Sequence, residues 1–337
     1  MIIGDIGGTK TQLAYVEASV GGAQGVPSLQ HLQRFQNSEE DCFEAILSSY
    51  LMAHNLKKPD LLVLAVAGPV QNNRCRLTNL PWEIDPEALA REFSIQQVYL
   101  INDLAATAYS LPYLPASDFA WLQDGELDIT EPQAVISAGT GLGEACLVYD
   151  AEQSRYVVIP GEGGHKNFAP SNEEEMALLA HYLRRHSPVS VEMLTCGDGL
   201  RRIYEFLRHQ PEWEDQLPEL EDADSSQNPN QLITQLAFDL PNSIYAQTVR
   251  LYARLLMSEA GNLVLQSYSN GGVVIAGGIA PQIKPFLIEA ENLAAFNHKS
   301  RFSHWLRSIP VRLCINVHAP LYGAWAFGQQ KTPLITP

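Results

Sequence analysis

The sequence predicts an α/β fold composed of two similar halves, and three features lead to this prediction. Short, continuously apolar runs at residues 61–67, 98–101 and 273–276 are typical of parallel strands that are buried on both faces. Helical segments alternate with these strands, as in α/β folds. A strand, a glycine bend with a threonine and a second strand occur twice, at residues 4–16 and 138–148. We interpret this repeat as a sign of two duplicated lobes.

The 337 residues carry a formal net charge of −16, which excludes some classes of function. Nucleic acid is not expected as a partner, because the basic residues form no cluster that could offset repulsion from a phosphate backbone. The sequence has neither an apolar run of about 18 residues nor a basic segment ahead of an apolar one, so we expect no membrane partner and a cytoplasmic location. The five cysteines form no Cys-x-x-Cys pair that could hold zinc, and we expect buried, reduced thiols.

In the first half, a predicted β-hairpin is followed by alternating strands and helices. The hairpin strands lie at residues 2–5 and 12–16, with adjacent glycines in the bend that joins them. Asp85 and Pro86 predict a helix start, because aspartate caps helices and proline favours the first helical position. The strand at residues 98–101 follows and leads directly into another helical segment.

The second half repeats the hairpin and then contains longer helices. Strands are predicted at residues 134–137 and 145–149, on either side of the second glycine bend. Ser171 and Glu174 form a predicted capping box and therefore indicate a helix start. A long helical pattern at about residues 244–268 precedes the last buried apolar run.

Two glycine bends are candidate phosphate-binding sites. Adjacent glycines allow several backbone N–H groups to face one anion, and a threonine adds a hydroxyl donor. Either bend alone could be purely structural, but one bend in each half favours a polyphosphate held between two lobes. The aspartate of the first bend could hold Mg²⁺ through water, although no direct metal ligand is predicted. The bend residues are Gly4, Asp5, Ile6, Gly7, Gly8 and Thr9 in the first half and Gly139, Thr140 and Gly141 in the second.

Two strand ends carry further candidate residues. Gly277 and Gly278 follow a buried strand and leave room for a flat group such as adenine, although an ordinary turn before a helix would also explain them. Asn102 and Asp103 lie at the carboxyl end of another strand, where open α/β sheets place ligands. There, Asp103 could accept a proton from an attacking hydroxyl during phosphoryl transfer. By position alone it would instead cap the next helix.

Residues 160–165, Pro-Gly-Glu-Gly-Gly-His, form the densest cluster of uncommon residues in the chain. Glu162 and His165 lie in a loop that is too short to hide them, so both can face a ligand with many hydroxyl groups, such as a sugar. A metal site is the alternative, but His165 has no second histidine at His-x-x-x-His spacing. Glu192 follows Val-Ser-Val, and nothing in this local pattern indicates a function for it.

Six motifs together resemble those of the bacterial glucokinase family of the hexokinase superfamily. They lie at residues 4–9, 77–79, 101–103, 138–143, 160–165 and 275–279. Each motif alone has little specificity, but the order and spacing of all six match those of the family along nearly the whole chain. The resemblance implies the two-lobed actin-like ATPase (ribonuclease H-like) fold with the active site in the interlobe cleft. The small lobe would contain residues 1–112 and 319–337, and the large lobe residues 113–318.

The resemblance also implies an enzyme that transfers phosphate from ATP, with Mg²⁺, to the 6-hydroxyl of glucose and so supplies glycolysis. Asp103 would be the catalytic base, and a homodimer is expected because the family is commonly dimeric. The residues expected to bind ATP are residues 4–9, Gly139, Thr140, Gly277 and Gly278. The sugar contacts that carry over are Asn102, Asp103, Gly141, Glu162, His165 and Glu192.

The motifs leave three alternatives open: a kinase for another hexose or an N-acetylhexosamine, polyphosphate as the phosphoryl donor, and a non-catalytic sugar sensor. The intact Asp103 argues against a sensor. The Cys-x-Cys-Gly-x-x-Gly-Cys zinc motif of the related repressor, open reading frame and kinase (ROK) family is absent, which disfavours its zinc-dependent branch. Lys10 stands where enterobacterial members have asparagine, and residues 211–230 predict a surface insertion to which we assign no chemistry.

Overall fold

The computed structural model describes residues 1–17, 26–77, 80–213 and 228–331. Contacts within the chain divide it into two compact units. Unit 1 comprises Met1–Asp118, Tyr149–Ile159 and Asn316–Pro337, and unit 2 comprises Phe119–Val148 and Pro160–Ile315. The lobe boundaries that the resemblance implies remain a prediction.

Strands and helices alternate in both units, as the sequence predicts. The strands in chain order are β1 (Ile2–Ile6), β2 (Lys10–Tyr15), β3 (Gln30–Gln36), β4 (Leu61–Val66), β5 (Val70–Gln71), β6 (Arg74–Arg76), β7 (Glu83–Ile84), β8 (Gln97–Asn102), β9 (Phe119–Gln123), β10 (Gln133–Ala138), β11 (Leu142–Asp150), β12 (Arg155–Gly161), β13 (Val273–Ala276) and β14 (Val311–Cys314). The α-helices are α1 (Phe43–Ala53), α2 (Pro86–Phe93), α3 (Asp103–Ser110), α4 (Glu173–Leu183), α5 (Val191–Thr195), α6 (Gly197–Leu207), α7 (Pro229–Asp239), α8 (Ile244–Ser267), α9 (Lys284–Leu287), α10 (Ala290–Asn297), α11 (Ser303–Leu306) and α12 (Ala319–Lys331).

The main sheet of unit 1 has the strand order β3-β2-β1-β4-β8. β1 pairs antiparallel with β2, whereas β1, β4 and β8 run parallel to one another. Side chains alternate between its faces, so that Ile2 and Ile6 pack with α1 and α2 while Ile3 packs with α3 and α12. Because helices cover both faces, the carboxyl ends of the parallel strands are the places where this sheet can meet a ligand.

The second large sheet has the strand order β12-β11-β10-β13-β14-β9, and its strands β9, β10, β13 and β14 lie wholly in unit 2. Its first five strands repeat the arrangement of unit 1, since β10 pairs antiparallel with β11 while β10, β13 and β14 run parallel. This arrangement confirms the predicted repeat of the hairpin pattern in the two halves. The predicted long helix is α8, and its fully buried residues, among them Tyr252, Leu256 and Ala260, form part of the core of the unit.

The boundaries of two helices correct the sequence prediction. Asn172, and not Ser171, supplies the capping side chain of α4, which therefore begins one residue later than predicted. The end of the predicted insertion at residues 211–230 is regular, because Asn228 caps the first turn of α7. Residues 214–227 of that insertion lie outside the described residues.

The remaining differences between the sequence prediction and the structure concern single residues. The thiols of Cys42 and Cys146 are half-buried, whereas the other cysteines are buried as predicted. Thr78 and Asn79 of the second family motif lie outside the described residues. Within the described ranges, no helix combines the length and the apolar character needed to cross a membrane.

Candidate active site

Two acidic residues of unit 1 lie at the carboxyl edge of its parallel strands. Asp5 in β1 is in register with Ala65 in β4, and Ala65 is in register with Ile101 in β8. Asp103 begins α3 directly after β8. The topology therefore brings the predicted residues Asp5 and Asp103 to the same edge of one sheet.

Both carboxyl groups have raised pKa values. Burial, and then the negative charge of Asp103, raise the pKa of Asp5 to about 7, although Lys10 opposes this shift. Burial also raises the pKa of Asp103, while hydrogen bonds from the backbone N–H groups of Leu104 and of Asp103 itself oppose the change. A raised pKa brings a carboxyl group closer to the pH at which a general base works best.

Asn102 fixes the start of α3 and thereby the position of Asp103. Its Oδ1 accepts hydrogen bonds from the N–H groups of Leu104 and Ala105, at 3.1 and 3.2 Å. Its Nδ2 donates to the carbonyl oxygen of Gly68 at 3.3 Å. The alternative interpretation of Asp103 as the helix cap is therefore wrong, because Asn102 has that role. The Asp103 carboxylate instead lies in the first helical turn, where the helix dipole favours a negative charge.

A buried asparagine that sequence reasoning missed holds the first glycine bend in shape. The Nδ2 of Asn37 donates to the carbonyl oxygen of Gly7 at 2.9 Å, and its backbone N–H donates to that of Thr9 at 3.0 Å. Its Oδ1 accepts a hydrogen bond from the hydroxyl of Thr11 at 2.8 Å. Asn37 is 2% exposed, so these hydrogen bonds are shielded from water. Nothing in its sequence neighbourhood distinguishes it from an ordinary surface asparagine.

Two of the predicted ATP residues have packing roles within β1. Ile6 is fully buried, and a Cβ on Gly4 would come within 2.6 Å of the Leu64 side chain and 2.8 Å of the Leu13 side chain. Only the backbone groups of these two residues could reach a nucleotide. Thr9, in contrast, is exposed beyond the two bend glycines.

The second glycine bend, between β10 and β11, packs against two further turns of unit 2. The N–H of Gly139 donates to the carbonyl oxygen of Gly141 at 2.9 Å, and the N–H of Gly197 donates to that of Gly139 at 2.8 Å. Gly277 has a φ of 95°, and a Cβ there would lie 2.2 Å from the carbonyl oxygen of Ala138. Glycines therefore allow the bend, the start of α6 and the turn after β13 to come together.

A cavity of about 300 Å³ lies beside these turns in unit 2. The predicted ATP residues Gly139, Thr140 and Gly278 line it, whereas Gly277 supports the turn from behind. Helix α7 contributes amide side chains such as that of Gln231, which can both donate and accept hydrogen bonds with a flat polar ligand. Sequence reasoning missed these amides because they follow the irregular insertion.

The predicted sugar contacts of unit 2 lie close together; they are Gly141, Glu162, His165 and Glu192. The Oε2 of Glu192 accepts a hydrogen bond from the N–H of Leu142 at 2.8 Å, and a Cβ on Gly141 would lie 2.6 Å from the same oxygen. The Nδ1 of His165 is 3.8 Å from Oε1 of Glu192, and its Nε2 is 4.0 Å from Oε2 of Glu162. The side chains of Glu162 and His165 are exposed, so both can contact a ligand.

An ion cluster that sequence reasoning missed adjoins these residues. The Nζ of Lys166 is 3.0 Å from Oε2 of Glu144 and 2.6 Å from Oε1 of Glu259, and both carboxylates are buried. The sequence contains one signal of this cluster, because Glu144 is a charged residue directly before the apolar run of β11. A partner 93 residues from Lys166 in the chain could not be identified without the fold.

A sequence model of the family described as Glucokinase matches residues 2–331. A curated relative, the glucokinase of Trichormus variabilis, is 37% identical over 340 residues that cover 96% of this chain and 97% of the relative. A solved glucokinase from an Antarctic psychrotroph has a TM-score of 0.83 at 29% identity and covers 98% of both chains. A ROK family glucokinase from Streptomyces griseus in complex with glucose and AMPPNP has a TM-score of 0.64 at 18% identity, covering 98% of this chain and 99% of that chain. These likenesses confirm the predicted α/β actin-like ATPase fold.

Proposed function

The chain belongs to the glucokinase family, and on this premise we propose that it transfers the γ-phosphoryl group of ATP to the 6-hydroxyl of glucose. The observation that carries the proposal is the carboxyl group of Asp103, which stands at the end of a parallel strand with a raised pKa. Unit 2 separately supplies a cluster of exposed polar side chains suited to a sugar. Family membership over nearly the whole chain supports the combination of both features in one enzyme.

In unit 2, Glu162, His165 and Glu192 are proposed to bind the sugar hydroxyls. Carboxylates accept hydrogen bonds from hydroxyl groups and an imidazole can donate or accept them, so this set suits a ligand that needs both. Gly141 lacks the Cβ that would collide with Glu192, which lets the bend stay close to this carboxylate. In unit 1, the amide of Asn102 would add a donor at the end of β8.

Asp103 is proposed as the catalytic base. Its carboxylate accepts the proton of the 6-hydroxyl as that oxygen attacks the γ-phosphorus, the bond to the bridging oxygen breaks, and ADP leaves. Phosphoryl transfer mainly requires position, which Asn102 provides by capping α3. Water is a competing acceptor, so we also propose that the site closes around the bound sugar and excludes water.

The two glycine bends are proposed to hold ATP. The backbone N–H groups of Gly7 and Gly8 and the hydroxyl of Thr9 suit the phosphates. The unit 2 cavity, lined by Thr140 and Gly278, suits the nucleoside, because it combines glycine backbone with amide side chains.

Mg²⁺ is proposed as the ion that accompanies ATP, and the acid pair of unit 1 fits it. The negative charge of Asp103 raises the pKa of Asp5, so a nearby divalent cation would favour the ionised form of both. The described residues contain no group of three or more His, Cys, Asp or Glu side chains that could hold a metal ion, so Asp5 would bind Mg²⁺ through water. When bound, the ion would neutralise phosphate charge.

A coupled assay of ADP release tests the proposed function. Glucose, mannose, other hexoses and N-acetylhexosamines would be offered as acceptors, with ATP or polyphosphate as donor. We expect the highest kcat/KM for glucose with ATP. A higher value for another acceptor or donor would overturn the assignment in favour of that kinase, and glucose binding without ADP release would indicate a sensor.

The family resemblance also implies a location, a metabolic role, a set of partners and an oligomeric state, and we propose each of these separately. They are a cytoplasmic location, supply of glucose 6-phosphate to glycolysis, no nucleic acid or membrane partner, and a homodimer. The net charge of −16 supports the exclusion of nucleic acid. Size-exclusion chromatography with light scattering tests the homodimer, which should have twice the chain mass of 37.3 kDa. A particle of one chain mass would contradict it.

A further inference from the structure

Lys166 connects the two segments that carry the sugar-facing side chains of unit 2. It directly follows His165, and its N–H donates to the carbonyl oxygen of Gly163 at 3.0 Å, which closes this short turn. Its own carbonyl oxygen accepts a hydrogen bond from the N–H of Val191 at 2.9 Å, one residue before Glu192. The backbone of Lys166 therefore ties the histidine segment to the glutamate segment.

The side chain of Lys166 binds two carboxylates from other elements. Glu144 comes from β11 and Glu259 from α8, and their side chains are 2% and 6% exposed. Because water hardly reaches these carboxylates, loss of the ammonium group would leave two buried carboxylates without the cation that contacts them both. The position of Lys166 is thus determined by a strand and a helix that belong to the core of unit 2.

Glu144 also contacts the turn itself. A Cβ on Gly163 would lie 1.7 Å from Oε2 of Glu144, and one on Gly164 would lie 2.2 Å from the carbonyl oxygen of Leu142. Both positions therefore require glycine if the turn is to lie against β11. A shift of the Glu144 carboxylate would displace the turn, and His165 with it.

The charges around Lys166 are unequal, because one ammonium group contacts two carboxylates. Burial and the negative charge of Glu259 raise the pKa of Glu144 to about 7, and Lys166 opposes this shift. Burial alone would lower the pKa of Lys166, but its contacts with Glu259 and Glu144 outweigh burial and raise it. Lys299 also faces Glu259, as well as Glu175 of α4; burial lowers the pKa of Lys299 although both carboxylates oppose this. Without Lys166, the negative charges of Glu144 and Glu259 would repel each other with no ammonium group between them.

We propose that Lys166 is a positioning residue for the sugar site, which fixes the turn that carries His165 next to the carboxylate of Glu192. Glu144 and Glu259 supply the fixed points from the core. The inference rests on the proposed function, because it takes the exposed cluster of unit 2 as the sugar site. Loss of Lys166 should therefore weaken sugar binding more than it slows phosphoryl transfer, since the proposed base belongs to unit 1.

A second ion cluster on α8 offers a matched control. Arg254 contacts both Glu174 and Glu175 of α4, and its Nε lies 3.0 Å from Oε1 of Glu175. Like Lys166, it is one cation that holds two carboxylates, at least one of which is buried. Its contacts anchor α4 to α8. Replacement of Arg254 therefore tests what the loss of such a cluster does to stability alone.

Steady-state kinetics of Lys166→Met, Lys166→Arg and Arg254→Met test the proposal. We expect Lys166→Met to raise KM for glucose by about 10- to 100-fold, with kcat and KM for ATP within about threefold of wild type. Lys166→Arg should remain closer to wild type because it keeps the charge. Arg254→Met should lower Tm by about as much as Lys166→Met does, but it should not change KM for glucose. An unchanged KM in Lys166→Met, or an equal rise in Arg254→Met, would overturn the proposal.

If Lys166→Met does not fold, Glu144→Gln replaces it, because glutamine keeps the size of the side chain and removes its charge. In wild type, KM for glucose should rise as pH falls through about 7, since protonation of Glu144 weakens its attraction to Lys166. This part of the pH dependence should be absent in Glu144→Gln. An identical pH profile in both proteins would overturn the role of the cluster.

Hydrogen exchange separates the positioning role from the proposed function. Backbone amides at residues 161–166 should exchange faster in Lys166→Met or Glu144→Gln than in wild type, and at the wild-type rate in Arg254→Met. Equal rates in all variants would contradict the proposal. If wild type transfers no phosphate to glucose, the proposed function fails, whereas the exchange rates still decide whether Lys166 positions the turn.

Discussion

The two sheets share a strand order but present different chemistry at their strand ends. In each unit a hairpin with a glycine bend is continued by two parallel strands. The edge in unit 1 carries the acids Asp5 and Asp103, whereas unit 2 carries glycine turns together with Glu192 and His165. The repeated topology sets where each unit can meet a ligand, and the side chains determine which part of the reaction it can serve.

The two glycine bends are also stabilised in different ways. The buried side chain of Asn37 holds the first bend from within unit 1. The second bend contacts the backbone of Gly197, and its last residue precedes Leu142, whose N–H donates to Glu192. The first bend is therefore held in shape within unit 1, whereas the second is connected through Leu142 to Glu192, one of the proposed sugar-binding residues.

The largest expected effect is a loss of kcat on substitution of Asp103, with little change in glucose affinity. Asp103→Asn should lower kcat by about 10²- to 10⁴-fold, because an amide cannot accept the hydroxyl proton. Glucose affinity should stay close to wild type, since the substitution keeps the size of the side chain. Steady-state kinetics and calorimetric titration with glucose measure the two quantities. A loss of glucose affinity as large as the loss of kcat would contradict the role of Asp103 as the catalytic base.

The corresponding change in unit 2 should act on affinity. Glu192→Gln should raise KM for glucose by about 10- to 100-fold, because it removes a charge that lies beside His165 and is proposed to bind the sugar hydroxyls. Gly141→Ala should have the same direction of effect, since its Cβ would lie 2.6 Å from Oε2 of Glu192. Substrate titrations at saturating ATP provide the measurement. A fall in kcat at unchanged KM would place Glu192 in the chemical step instead.

Adjacent glycines in unit 2 should differ in their effect on stability. Gly277→Ala should destabilise the fold by about 1–3 kcal/mol, because the backbone is left-handed there and an added Cβ would collide with Ala138. Gly278→Ala is the control, as its Cβ would meet no described atom within 4 Å, and we expect a change within about 0.5 kcal/mol. Urea unfolding measures both. Gly278→Ala should instead raise KM for ATP, and equal destabilisation would contradict the packing role of Gly277.

The smallest expected effect concerns pH and Asp5. The folded state raises the pKa of this carboxyl to about 7, above its value in the unfolded chain, so the folded protein binds the additional proton between the two pKa values. Stability from this source is therefore present at low pH and lost as pH rises through about 7. Asp5→Asn removes the charge, and its Tm at pH 8, without ATP or Mg²⁺, should exceed that of wild type by about 2–4 °C. At pH 5 the difference should be smaller. A lower Tm at pH 8 would show that the ionised Asp5 stabilises the fold.

The sequence predicts features that depend on local pattern, and most of the fold belongs to this class. The apolar strands, the glycine bends and α8 are all visible as runs, turns or periodicity in neighbouring residues. Asp103 could be placed at a strand end, but its role relative to Asn102 could not, because both residue types cap helices. The structure resolves this ambiguity through the hydrogen bonds of Asn102.

Features that depend on distant contacts could not be predicted. Lys166 meets partners that are 22 and 93 residues away, and no local pattern links them. The cavity includes amides of α7, which follow a segment whose composition predicts irregular structure. Glu192 has no sequence signal apart from the family resemblance, yet the fold places it beside His165. Packing, and not propensity, assembles these parts of the site.

Transfer of phosphate to the 6-hydroxyl of glucose is tested most directly by ³¹P and ¹³C NMR of the reaction products. Wild-type protein with ATP, Mg²⁺ and glucose should produce ADP and glucose 6-phosphate in equal amounts, with the phosphate on C6. The Asp103→Asn variant should produce both far more slowly. ATP hydrolysis without a sugar phosphate, phosphate on another hydroxyl, or undiminished product from the Asp103→Asn variant would contradict the proposed reaction and its base.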